Sequence, residues 1–85
     1  MTEPADILRN AATLVGEAKN DEHGDYRATF AKTADLWSAY LSTTITPRDV
    51  AAMMALLKLG RDRTAPGNPD NALDAAGYAG LMGAL

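Results

Sequence analysis

Apolar residues recur along this chain at helical spacing, and no stretch shows the alternation of a β-strand. In the first segment Ile7, Ala11, Leu14 and Ala18 follow one another by three or four residues, which places them on one face of a helix. Similar stripes occur in three later segments, so the sequence predicts an all-α fold. The predicted helices cover residues 4–19, 26–41, 47–61 and 69–83.

Residues that start helices support these boundaries. Thr46 suits an N-cap, Pro47 suits the first helical position, and Asp49 completes a capping-box pattern. Asn68 and Pro69 repeat the cap-then-proline order before the fourth helix. We predict loops at residues 20–25, 42–45 and 61–67.

A chain of 85 residues is sufficient for one domain, which we place at residues 1–85. Such a small domain has a thin core, and without cysteine it has no disulfide to reinforce that core. The third segment is apolar on more than one side, which is typical of a central or interfacial helix. We therefore expect a small four-helix or three-plus-one bundle that is completed by homo-oligomerisation.

The charge balance limits the classes of partner. Eight basic and eleven acidic residues give a net charge of −3, which argues against general nucleic-acid binding and against docking on anionic membranes. No apolar run approaches the roughly 20 residues of a membrane span. The acidic N-terminus lacks the pattern of a signal peptide, so we expect a cytoplasmic protein.

A cationic cluster stands out in this acidic chain. Lys58, Arg61 and Arg63 gather near the predicted end of the third helix. They would either complement the helix dipole or grip a phosphate, for which arginine offers a two-pronged donor set. The helix that begins after Asn68 would place a second anion-favouring feature nearby.

Carboxylates are the candidate metal ligands. Asp70 and Asp74 are one turn apart and share a helix face, and Glu17 and Glu22 flank the end of the first helix. Facing acidic helices hold Mg²⁺ in some helical bundles. The alternative is that Asp70 serves the helix dipole and both glutamates are solvated. Capping and dipole effects do not explain Asp74, which makes it the best metal candidate; the cofactor itself stays open.

Three glycines, Gly77, Gly80 and Gly83, recur every third residue in the fourth helix. Each interior helical glycine costs about 1 kcal/mol relative to alanine. Their spacing indicates that a helix backbone or a ligand approaches closely, although for Gly83 a frayed helix end explains the residue equally well.

The chain resembles a family of small phage and prophage proteins of uncharacterised function, and the likeness covers nearly its whole length. The motifs that carry it are His23-Gly24-Asp25, the run Leu36 to Leu41, Ile45-Thr46-Pro47, Met53-Met54, Leu56 to Leu59, and Asp74 to Ala79. That family is in turn distantly similar to the MazG-like nucleotide pyrophosphohydrolases, which are all-helical, magnesium-dependent and oligomeric. The shared feature is the late acidic helix from Asp70 to Ala79.

The paired-glutamate motif of those hydrolases, Glu-Glu-x-x-Glu, is missing here. The resemblance therefore favours nucleotide binding over hydrolysis. Our leading hypothesis is a phage-type protein that binds or sequesters a nucleotide or nucleotide-derived signal in the host cytoplasm, an anti-defence role. The predicted ligand-binding residues are Lys58, Arg61, Arg63, His23, Asp25, Tyr26 and Tyr78. The alternatives are a reduced MazG-like hydrolase and a structural, partner-binding protein without a small ligand.

Overall fold

The computed structural model describes residues 3–18 and 25–85, and this part of the chain contains four packed helices and no strand. Helix α1 spans Pro4–Thr13 and continues into a π-helical segment, Leu14–Ala18. Helix α2 spans Tyr26–Leu41, α3 spans Pro47–Thr64 and α4 spans Pro69–Ala84. The predicted all-α class and four-helix content are confirmed.

The predicted start of α3 is also confirmed. Thr46 Oγ1 accepts a hydrogen bond from the Asp49 N–H at 3.1 Å, and Asp49 Oδ2 accepts one from the Thr46 N–H at 2.9 Å. This reciprocal pair is the capping box that the sequence indicated, and it satisfies two backbone donors that a helix terminus otherwise leaves free.

The predicted end of α3 is wrong by one turn. Arg63, which was predicted to lie in a loop, is helical, because α3 continues beyond Arg61 to Thr64. Neither arginine nor Asp62 breaks a helix, whereas Pro66 disfavours helical angles at the residue before it. Gly67 then takes a φ of +84°, a conformation that glycine adopts without strain, and the chain turns into α4.

Helices α3 and α4 run antiparallel and form the centre of the molecule. Lys58 lies opposite Asp74, and Arg48 near the start of α3 donates to the Met82 carbonyl near the end of α4. Helix α1 packs on the outer side of α4, and α2 packs on α3. Side chains of α2 also reach the end of α4, where Arg27 Nη1 donates to the Ala84 carbonyl at 3.3 Å.

Small residues form the buried core within the described part of the chain. The buried apolar side chains are Ala11, Ala34, Val50 and Ala51. Phe30 and Trp37, which helical spacing predicts to be core residues, are only half-buried. None of the described helices is long and apolar enough to cross a membrane.

Of the three recurring glycines, only Gly77 meets a close neighbour. A Cβ added to buried Gly77 would lie 3.2 Å from Val15 Cγ1, so this glycine is where the π-helical continuation of α1 packs on α4. A Cβ at Gly80 or Gly83 would have no atom within 4 Å. Gly77 therefore has a close neighbour and the other two do not, but that neighbour is the Val15 side chain rather than the helix backbone or ligand predicted from the spacing.

Candidate functional site

A polar cavity of about 380 Å³ lies where α3 ends and α4 begins. Its volume is within the range of small-molecule sites. Four of the residues singled out from the sequence line it: Lys58, Arg61, Asp70 and Asp74. The other lining residues are Thr64, Ala65, Asn68 and Asn71.

The cavity owes its shape to the tight ending of α3. The Ala65 N–H donates to the Arg61 carbonyl at 2.8 Å, and Thr64 Oγ1 donates to the same oxygen at 3.1 Å. These bonds close the last turn of the helix, so that the chain reverses within residues 65–68. The reversal brings the first two turns of α4 beside Lys58 and Arg61.

An ion pair joins the two helices inside the cavity. Lys58 Nζ lies 3.2 Å from Asp74 Oδ2, with the two side chains only 15% and 26% exposed. Partial burial makes each charge depend on the other more than a surface pair does. This ion pair gives a structural reason for an acidic residue at position 74. Helix capping and the helix dipole gave none.

Asn71 is the buried polar group of this region, with only 5% of its surface exposed. Its Nδ2 donates to Asp62 Oδ1 and to the Ala65 carbonyl, both at 3.3 Å. Asn71 therefore ties the start of α4 to the end of α3 and satisfies a carbonyl at the helix terminus. Asn71 was not among the residues predicted from the sequence, although an asparagine inside the first turns of a helix, where this residue type is unfavourable, is the signal that would have indicated it.

The backbone donors at the start of α4 are already in use. Asn68 Oδ1 accepts from the Asp70 N–H at 3.0 Å, and the Asn68 carbonyl accepts from the Asn71 N–H at 3.1 Å. Pro69 has no N–H, and the Asp70 carboxylate places a negative charge in this first turn. An anion in the cavity would therefore be recognised by side chains of α3 rather than by this helix terminus.

An aromatic cluster lies farther along α4. Tyr78 follows Asp74 by four residues, so it is on the same face and about 6 Å farther along the helix axis. The centroid of its ring is 6.4 Å from that of Phe30, which in turn lies 6.5 Å from Tyr26 in an edge-to-face arrangement. The Arg27 guanidinium stands 5.1 Å above the Tyr26 ring. Tyr26 and Tyr78, both predicted to bind the ligand, are thus in one aromatic cluster, and neither of them lines the cavity.

Other predicted site residues lie elsewhere. Arg63 projects about 140° around α3 from Lys58 and does not line the cavity. Asp25 is the N-cap of α2, where its carboxylate accepts from the Arg27 N–H at 3.0 Å. His23, Glu22 and the side chain of Glu17 lie outside the described part of the chain.

The candidate metal ligands that the structure describes are Asp70 and Asp74, which contribute two carboxylates to the cavity. Among the described residues there is no group of three histidine or acidic side chains placed to hold a metal ion. Asp74 is also engaged by Lys58. A hard cation here would need further oxygen ligands, such as waters and the phosphates of a bound molecule.

Comparison with known proteins identifies phage relatives. The Gene 55 protein of Mycobacterium phage L5 is 36% identical over 77 residues, and the Gene 55 protein of Mycobacterium phage D29 is 38% identical over 76 residues. Each alignment covers 89% of this chain and 49% or 50% of the relative, so the chain spans about half the length of these proteins. No solved structure matches.

The family described as "Domain of unknown function (DUF6378)" matches residues 6–85. Its match covers all four helices except the first residues of α1. The expected relation to phage proteins agrees with the two relatives. The chain therefore belongs to the DUF6378 family.

Proposed function

We propose that the cavity at the α3–α4 junction binds a nucleotide or a nucleotide-derived signal. One observation carries the proposal. Two cations and two carboxylates from different helices line a single cavity of about 380 Å³ in a chain of net charge −3. Lys58 is paired with Asp74, whereas Arg61 has no ion-pair partner among the described residues, so its guanidinium favours a ligand that brings its own negative charge.

Arg61 is the proposed phosphate contact. It lies in the last turn of α3, is exposed and lines the cavity, and its planar guanidinium can donate two parallel hydrogen bonds to a phosphate. Lys58 lies one turn earlier and is held by Asp74, so its ammonium is positioned before a ligand arrives. Together they would contact phosphate from one side of the cavity.

Tyr78 is the proposed contact for the base. It is half-buried, and it lies one helical turn beyond Asp74 on the same face of α4. Stacking of a base on an aromatic side chain is worth about 1–3 kcal/mol and tolerates any base. Phe30 of α2 packs on the Tyr78 ring, and Tyr26 packs in turn on Phe30.

Mg²⁺ would enter this site with the ligand. Asp70 and Asp74 supply two carboxylates, and phosphate oxygens and waters would supply the remaining ligands. A protein that sequesters a signal needs no catalytic carboxylates, which accords with the missing paired-glutamate motif. The proposal is therefore for binding; hydrolysis by a MazG-like mechanism is the outcome that the same assay would detect.

The test is equilibrium dialysis of the purified chain against a panel of linear and cyclic nucleotides with Mg²⁺, followed by identification of the retained and free compounds. Retention of an intact nucleotide is the expected result. Arg61→Ala should weaken that binding at least about tenfold, because a charge-assisted contact to phosphate is lost. Arg9→Ala removes the same charge from exposed α1 and should bind as the unaltered protein does.

Other outcomes would contradict the proposal. If the panel is neither held nor changed, this cavity is not a nucleotide site. If a nucleotide is converted to products, the protein is an enzyme rather than a sequestering protein. If Arg61→Ala and Arg9→Ala retain the same amount of nucleotide as the unaltered protein, the ligand binds elsewhere.

A further inference from the structure

The outward face of α3 is apolar and has no partner among the described residues. Val50, Ala51 and Met54 point toward the other helices, and Leu56 lies on the opposite side of α3 with 64% of its surface exposed. Leu59 and Met53 flank Leu56 on this outward face and are also exposed. A continuous apolar strip on an exposed helix face is typical of a protein interface.

The residues of this face are arranged symmetrically about Leu56. Met53 and Leu59 lie three residues to either side of it, and small residues, Ala52 and Gly60, lie four residues to either side. The face ends in opposite charges seven residues to either side of Leu56, which is about 10.5 Å along the axis of α3 in each direction. Asp49 is at the N-terminal end and Arg63 at the C-terminal end.

We propose that this outward face of α3, comprising residues 49, 52, 53, 56, 59, 60 and 63, pairs with the same face of a second copy of the chain in an antiparallel, two-fold symmetric dimer. In a two-fold interface the same patch meets itself, so residues equally far from the axis on opposite sides become neighbours. With the axis at Leu56, Asp49 of each copy faces Arg63 of the other, and Leu56 faces Leu56.

The charges select the antiparallel arrangement. A parallel pairing would place Asp49 beside Asp49 and Arg63 beside Arg63, which is repulsive at both ends. The antiparallel pairing makes two opposite-charge contacts instead. Asp49 remains available for this although it caps α3, because a carboxylate accepts several hydrogen bonds and its side chain is exposed.

Gly60 supports a close approach of two helices on this face. A Cβ at Gly60 would have no atom within 4 Å, so nothing within the described chain requires a glycine inside α3. Its absent side chain would instead make room for the second helix opposite Ala52. The proposal also gives a role to Arg63, which does not line the cavity, and it does not depend on nucleotide binding.

The absence of cysteine makes a direct test of the axis practical. In Leu56→Cys, the introduced thiol should meet its own copy, so mild oxidation should yield a disulfide-linked dimer rapidly. Leu8→Cys is the matched control, because Leu8 has 61% of its surface exposed and lies on α1. Equal cross-linking rates for the two variants would overturn the proposed axis.

Sedimentation equilibrium on the unaltered chain and on Leu56→Glu gives the second test. We expect a dimer whose Kd rises at least about tenfold in Leu56→Glu and stays unchanged in Leu8→Glu. Arg63→Glu should also weaken the dimer, because the introduced carboxylate would face Asp49 of the other copy. A chain that stays monomeric up to hundreds of micromolar, or a Leu56→Glu variant that dimerises normally, would refute the proposal.

Discussion

Asp74 shows how one residue can link the fold to the candidate site. Its carboxylate lies at the α3–α4 interface, where the Lys58 ammonium compensates it at 3.2 Å. Exposed ion pairs contribute about 0–1 kcal/mol, whereas removal of one member of a buried pair costs about 3–5 kcal/mol. The partial exposure of Lys58 and Asp74 places their pair between these limits. The same ion pair also holds the ammonium group of Lys58, a residue that lines the cavity.

We expect Asp74→Asn to lower the stability of the protein by about 1–2 kcal/mol, because Lys58 loses its partner in a half-buried position. For a domain of this size that corresponds to a melting temperature lower by roughly 4–15 °C. Asp6→Asn is the matched control, since the Asp6–Arg9 pair on α1 is exposed and its loss should change stability little. Thermal unfolding followed by circular dichroism measures both; equal shifts would show that the Lys58 pair is no stronger than a surface pair.

Asn71 performs a structural task at the same junction. Asn71→Asp would place a carboxylate close to the Asp62 carboxylate and the Ala65 carbonyl, where Asn71 now donates hydrogen bonds. We expect this variant to be destabilised by about 2 kcal/mol or more at neutral pH, and less in acid once the new carboxyl group is protonated. Asn10→Asp on exposed α1 is the control. If Asn71→Asp lowers the melting temperature equally at neutral and at acidic pH, the cause is loss of packing rather than charge repulsion.

At the scale of elements, helix ends are set by local chemistry and helix contacts by side-chain size. The start of α3 depends on Thr46 and Asp49 alone, which are three residues apart. The crossing of α1 and α4 depends on Gly77 and Val15, which are far apart in sequence. The first kind of feature can be predicted from neighbouring residues, and the second requires the packed structure.

The capping box predicts a specific pH dependence. The hydrogen bond from the Thr46 backbone N–H, and then that with the Thr46 side chain, hold the pKa of Asp49 below its ordinary value of 3.8. A lowered carboxyl pKa adds stability above the unfolded-state value, and this contribution disappears as the pH falls through the folded-state value. Asp49→Asn should therefore be less stable than the unaltered chain at pH 7, with the difference shrinking below about pH 4. Denaturant titrations across this range measure it, and a constant difference would contradict the assignment.

The glycines of α4 predict opposite responses to one added methyl group. Gly80→Ala should stabilise the protein by about 1 kcal/mol, because alanine favours the helix and nothing lies within 4 Å of the new Cβ. Gly77→Ala should stabilise it less, since its Cβ would press on Val15 at 3.2 Å, and Gly77→Leu should destabilise it. Chemical denaturation of the three variants tests the order. Equal gains at positions 77 and 80 would mean that α1 does not cross α4 at Gly77.

At the scale of the whole molecule, the helices are unequally anchored. Helices α3 and α4 share the most extensive contact, whereas within residues 3–18 and 25–85 the α1 helix packs on α4 and on no other helix. Cores made of small residues give each outer helix few apolar contacts, since the buried side chains are mainly alanines. Segments with few buried contacts open at lower free energy than the centre of a domain.

Native-state hydrogen exchange should therefore show less protection for amides of α1 than for those of α3 and α4. Gly77→Leu should accelerate exchange in α1 further and leave α2 unaffected, because only the α1–α4 crossing is crowded. Mass spectrometry of peptides from each helix measures exchange in α1 and in α2 separately. Uniform protection across all four helices would show that the molecule unfolds as a single cooperative unit.

The sequence by itself determined the helices and most of their ends. Helical spacing and the caps at Thr46 and Asn68 act through neighbours in the chain, so they could be predicted without knowledge of the fold. The same locality explains the error after Arg61, where the polar residues 62–64 suggested a loop although the helix ends only before Pro66 and Gly67. Lys58, Arg61, Asp70 and Asp74 could be proposed as candidates because Lys58 and Arg61 cluster in an acidic chain and Asp70 and Asp74 are one helical turn apart.

Only the tertiary structure decided which of these candidates meet. The antiparallel return of α4 brings Asp74 to Lys58 and leaves Arg63 on the other side of α3. It likewise decided that Asn71 is buried and that the apolar side of α3 around Leu56 is left uncovered. These are relations between residues on different helices or different faces, and they depend on the rotation and direction of packed helices, which no local pattern encodes.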